Sequence, residues 1–222
     1  MGKKQQKGVA PVARPTGGMA ITVGWPVHEV LLSPSWKNEN ELASVLVARR
    51  SPRSGKVAAA SFLVDLTCLG VKSVQVMMFK DPDEYAAGLR AHILRLMPME
   101  PSNINLVAKI VGTGLAYAAS LGFSPDPVFA QARYLLEGAS PDADPTPVRA
   151  GGKNGKPFFI NGPNDNVKQV LAQLRRAVGE GNFHYLLGGD GALDMLGDDG
   201  GLLLDDGGGD GGMISEHDPD EK

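Results

Sequence analysis

Asp65 interrupts the apolar run Phe62-Leu63-Val64-Asp65-Leu66. An ionised carboxylate in such a run needs a partner, because taking charge out of water is costly. If a hairpin pairs Arg50 with Val57, position 65 falls opposite about Leu42 and beside Glu41. Two carboxylates there could hold a divalent metal for phosphodiester hydrolysis, which makes Asp65 a candidate catalytic residue. The plainer alternative pairs Asp65 with Lys72 or an arginine, or turns it to water.

Glycine and lysine coincide twice, at Gly55-Lys56 and Gly155-Lys156. A phosphate loop needs a first glycine five residues before the second and a hydroxyl after the lysine. Arg50 and Val57 stand there in one case, Ala150 and Pro157 in the other, so neither is such a loop. Gly112 and Gly114 begin a G-x-G-x-x-G, but Tyr117 holds the third place; close helix packing is the simpler role. The histidines His28, His92, His184 and His217 have no zinc-type spacing, and Cys68 is the only cysteine. Cys68 with His92 or His184 would make a thiol nucleophile and base. On an apolar strand face Cys68 is more simply a small buried hydrophobe, and His92 a core histidine. The segment GGDGALD at 188–194 has one residue too many for a calcium repeat. No metal and no cofactor is expected.

Basic residues gather in two places. Arg49, Arg50, Arg53 and Lys56 cluster at one turn, and Lys153 and Lys156 flank a second, with Phe158 and Phe159 beside it. With the lysines of the N-terminus they suggest a phosphate-contacting surface. Aromatic residues make up only 6% of the chain and no RNA-recognition signature is present, so a solvated basic loop is the competing reading.

The elements that must position these residues follow a β-then-α pattern. Residues 44–50 and 56–66 flank the turn SPRSG and predict a β-hairpin, with Ala58, Ala60, Phe62, Val64, Leu66 and Cys68 on one apolar face. A sheet covered on one side follows from that alternation. Residues 71–79 read as a strand continuing past a bend at Gly70. A helix is predicted from Asp81 to about Met97, capped by Asp81 with Pro82 first, presenting Tyr85, Leu89, His92, Ile93 and Leu96. Ser102 caps a second, ended by Gly122; Pro127 opens a shorter one through Leu136; Asn164 or Asp165 caps the last. Residues 156–160 read as a short strand. The fold class is α+β: a small antiparallel sheet built on a hairpin, with about four packed helices.

Composition sets the limits. With 222 residues, 42% of them hydrophobic, the chain can build one domain with tails. Residues 1–19 are expected to form a disordered basic arm, 20–187 the single domain, and 188–222 a disordered acidic tail rich in Gly and Asp. Residues 1–20 carry +4, the body to 187 carries +3, and the tail carries −10. Short apolar islands in that tail, Leu193 to Leu196 and Leu202 to Leu204, suit docking on a protein partner. No apolar run approaches the roughly 20 residues that span a bilayer, so no membrane partner and a cytoplasmic location are expected.

Residues 45–74, with VLVARR, the Gly-containing turn and FLVDLTCLGVK, resemble a block in a group of uncharacterised bacterial proteins. AYAASLGFSPDP at 116–127 and GKPFFINGPND at 155–165 are similar to further blocks of that group. The resemblance covers about 45–187 and implies domain limits, with no activity attached. The function expected is that of a non-enzymatic accessory or adaptor protein. It would contact nucleic acid or a nucleoprotein partner through the basic hairpin, tuned by the acidic tail. A metal-dependent nuclease or other hydrolase using Asp65, and a purely structural interaction module, are the alternatives.

Overall fold

Alternating apolar residues in four consecutive stretches build one antiparallel sheet. In the computed structural model, which describes residues 18–38 and 41–188, the strands are β1 (Val27–Leu32), β2 (Ala43–Arg50), β3 (Val57–Asp65), β4 (Gly70–Phe79) and β5 (Glu100–Pro101). Their order is β4-β3-β2-β1-β5, so the first four form a meander. Apart from residues 18, 19 and 188, the expected arm and tail lie outside the described residues. The predicted hairpin register is the observed one, with Arg50 opposite Val57 and Ala43 opposite Val64. Residues 71–79 do not continue β3 past a bend. They turn back and pair with it antiparallel, Val57 opposite Phe79 and Asp65 opposite Gly70.

Among the described residues four longer helical segments accompany the sheet, besides short 3-10 turns at Met19–Thr22, Pro34–Lys37, Pro141–Ala143 and Lys153–Gly155. The first comprises α1 (Pro82–Tyr85), a π-helical stretch Ala86–Arg90 kinked at Gly88, and α2 (Ala91–Leu96). Asp81 caps it by accepting from the Glu84 N–H, as its sequence predicts. The second is α3 (Ile104–Ser120), capped by Asn103 and not by Ser102. Next is α4 (Phe129–Ala132), tightening into a 3-10 turn to Leu136. The last is α5 (Val167–Val178), capped by Asn166, one residue beyond the expected pair. It connects β6 (Phe158–Ile160) to β7 (His184–Leu186), which pair in parallel.

The sheet is covered on both faces, not on one. Val45, Val47, Ala58, Ala60, Phe62 and Val64 pack with Val107, Ile110 and Val111 of α3 and Leu135. On the reverse side Leu46, Ala48, Val57, Ala59 and Phe79 meet Tyr85, Leu89 and Ile93. That second cluster uses the apolar halves of strands whose other half, at Ser61 and Asp65, is polar. Tyr85 ties the helix to β1: its hydroxyl donates to Glu29 at 2.6 Å, and Arg90 pairs with the same carboxylate at 2.8 Å. Burial, then the bond to Glu29, push the Tyr85 phenol well above its ordinary pKa, so it remains a donor. His92 lies on the exposed side of this helix, not in the core.

The helix–sheet contact is closest where α3 crosses the start of β4. Gly70 has φ +67°, and a Cβ there would lie 2.7 Å from the Ala118 Cβ and 2.8 Å from the Gly114 carbonyl oxygen. Gly114 thus has the packing role expected of it. Gly112 does not, since nothing lies within 4 Å of a Cβ placed on it.

Candidate nucleic-acid interface

The tip of the β2–β3 hairpin carries the first basic cluster. Ser51 closes it, donating its N–H to the Lys56 carbonyl at 2.8 Å and accepting the Ser54 N–H on its hydroxyl at 3.1 Å. Arg50, Arg53 and Lys56 project from this turn exposed. None of them is in an ion pair among the described residues. The stretch between Glu41 and Asp65 contains no acid.

Arg49 is corrected out of this surface. Strand alternation turns it to the face of Val45 and Val47, and it is 6% exposed. Its guanidinium donates to the carbonyls of Leu135 at 2.8 Å and Trp25 at 2.6 Å, and also to Glu137. It therefore satisfies carbonyls at the end of the helical turn 133–136. Burial draws its pKa below the ordinary arginine value, while the Glu137 charge opposes that shift.

The second cluster does not join the first. Gly151 donates its N–H to the Leu66 carbonyl at 2.9 Å, which places the 151–156 loop at the far end of β3 from the hairpin tip. The 9 residues of β3 separate the two by about 30 Å at the usual strand rise. Lys153 is exposed, whereas Lys156 is half-buried and donates to the Gly181 carbonyl at 3.1 Å. Phe158 is half-buried and Phe159 buried, so neither is a free stacking platform.

Asp65 is 3% exposed and holds the β3–β4 turn. Its Oδ1 accepts from the Thr67 N–H at 2.8 Å, the Thr67 hydroxyl at 2.7 Å and the Cys68 N–H at 3.0 Å; its Oδ2 accepts from the Leu69 N–H at 3.0 Å. Two backbone N–H groups and the Thr67 hydroxyl, whose single proton is shared with the Phe158 carbonyl at 2.9 Å, crowd Oδ1, and the Leu69 N–H holds Oδ2, so the carboxylate is turned inward on its own turn. The expectation of an open carboxylate for a metal is thus corrected. Lys72, the partner sequence offered, pairs with Asp165 at 2.7 Å instead. Among the described residues no group of three His, Cys, Asp or Glu side chains is assembled to hold a metal ion. Asp65→Asn should lower stability by about 2 kcal/mol, because it sets an amide donor against backbone donors and removes charge from the bonds. A urea midpoint equal to that of the parent would contradict the turn-holding role.

Cys68 follows in the same turn and is buried. Burial first, then the Asp65 charge, push its thiol far above the usual value, which favours the protonated form. His184 is half-buried on β7 beside the Phe158 register position.

A cleft that sequence reasoning missed opens beside the 151–155 loop. It has a volume of about 870 Å³ and is bordered by Trp36, Lys37, Glu41, Thr67, Arg149 and Lys153, among others. Trp36 and Arg149 lie more than a hundred positions apart, and no local spacing could have joined them. Comparison of the chain with protein-family models, curated proteins and solved structures found no match. Among the described residues no helix is long and apolar enough to cross a membrane.

Proposed function

We propose that this protein is a non-enzymatic accessory protein that contacts nucleic acid, alone or within a nucleoprotein partner, through the tip of its β2–β3 hairpin. The observation that carries this reading is the trio Arg50, Arg53 and Lys56: three exposed cations on one tight turn, with no ion-pair partner among the described residues. Cations held this way neutralise phosphates and release counterions, which gives affinity without sequence preference. Arg49 contributes by anchoring the strand that presents the turn. The acidic C-terminal stretch, at −10, opposes the contact electrostatically, as does any polyanion competing for the same cations.

The test is binding of a fluorescent single-stranded oligonucleotide across a salt series. Replacing Arg50, Arg53 and Lys56 with glutamine should weaken binding and flatten the slope of log affinity against log salt by about 2, the single-strand value for three phosphate contacts. Replacing the aspartates of 190–210 with asparagine in the full chain should strengthen binding, most at low salt. An unchanged salt slope in the triple variant would remove the hairpin from the interface.

A further inference from the structure

The cleft beside the 151–155 loop belongs to no part of the hairpin reading and lies at the other end of the sheet. We propose that it is a binding site for a nucleoside phosphate, with the base against Trp36 and the phosphate over the glycine-rich loop. Its volume, about 870 Å³, falls in the range of small-molecule sites. Trp36 is half-buried, packs against the core cluster, and lines the cleft as well. A fixed indole wall with Leu66 and Pro147 nearby suits a flat aromatic ring.

The opposite half suits an anion. Lys37, Arg149 and Lys153 are exposed at the rim, outside any ion pair among the described residues, and Glu41 is the one acid that lines the cleft among those residues. The loop that carries Lys153 is held in shape. Gly151 has φ +81°, and a Cβ there would meet the Gly155 carbonyl oxygen at 2.5 Å. The Gly152 N–H donates to the Lys156 carbonyl at 2.8 Å, and the Tyr117 hydroxyl to the Gly155 carbonyl at 3.0 Å. Lys153 and Asn154 open the short 3-10 turn Lys153–Gly155, which Gly152 precedes. Asn154 is the one non-glycine residue there with positive φ, at +60°, directly after Lys153. Neither half alone selects the ligand; a planar ring joined to a phosphate satisfies both.

The same chemistry comes from a free mononucleotide or from one nucleotide of a single strand, and the experiment separates them. In full-length Trp25→Phe protein Trp36 is the sole indole, so its emission reports the site. Adenosine monophosphate should quench it saturably, and Arg149→Gln with Lys153→Gln should weaken that binding at least tenfold. Arg50, Arg53 and Lys56 substitutions should leave it unchanged, so failure here and failure of the hairpin reading are distinguishable. Quenching by an oligoadenylate but not by the mononucleotide identifies the strand as the source and upholds the site. No saturable quenching by either, or quenching that survives the double substitution, overturns it. Calorimetric titration of the wild-type chain and of Arg149→Gln/Lys153→Gln with both ligands gives the same decision if Trp25→Phe does not fold.

Discussion

Gly70→Ala should destabilise the protein by about 3 kcal/mol, lowering its melting temperature by about 6–12 °C. Two costs combine. A non-glycine residue at φ +67° pays left-handed strain of roughly 1 kcal/mol. The new methyl also meets the Ala118 Cβ at 2.7 Å and a backbone oxygen of α3 at 2.8 Å, so the helix has to lift off β4. Gly112→Ala, two residues before Gly114 on α3, should do the reverse. Its Cβ enters open space, and alanine favours helix over glycine by about 0.5–1 kcal/mol. Urea denaturation of the two variants beside the parent checks both signs at once. A Gly70→Ala midpoint equal to that of Gly112→Ala would mean that the close approach is not what holds α3 in place.

Arg49→Met should cost about 3 kcal/mol. It removes a buried charged donor and leaves the carbonyls of Leu135, Trp25 and Glu137 without their common partner. Arg49→Lys should recover only part of this, because an ammonium cannot span three acceptors with a planar fork of donors. The measurable distinction from Arg50 and Arg53 is twofold. Arg49 variants should shift the urea midpoint, and their folded fraction should bind an oligonucleotide with the parent's salt slope. An Arg49→Met protein as stable as the parent, with a flattened salt slope, would return Arg49 to the surface cluster.

Arg49 also shows how far the sequence could be read. The period-2 alternation that correctly placed Ala58, Ala60, Phe62 and Val64 on one face of β3 applies equally to β2, where it aligns Arg49 with Val45 and Val47. Grouping Arg49 with its chain neighbours by charge alone passed over that signal. Strong local chemistry was legible: Asp81 and Pro82 opened their helix, and the SPRSG turn set the hairpin register. Caps slipped by a residue or two where several polar residues compete, as at Ser102 and Asn103. Asp65 was flagged as unusual for a sound reason, the cost of burying charge. Its solution is local: the next residues close a turn and supply the donors. Strands as short as Phe158–Ile160 and His184–Leu186 depend on partners far along the chain, and β7 had no signature of its own. The cleft was illegible for the same reason, since Trp36 and Arg149 meet only through the fold.

The meander has a consequence for how the chain comes off the ribosome. Each of β2, β3 and β4 pairs with the strand made just before it, so only short loops have to close. The four-stranded unit can assemble as soon as Phe79 has emerged. Its two faces, Val45 with Ala58 on one and Leu46 with Ala59 on the other, are both apolar and still bare at that moment. The cover for the first face comes from α3, complete only at Ser120. At a synthesis rate of roughly 5–20 residues per second that interval lasts about 2–8 s. During it the nascent sheet is a two-sided sticky sheet awaiting its helices, the stage at which a chaperone has most to shield.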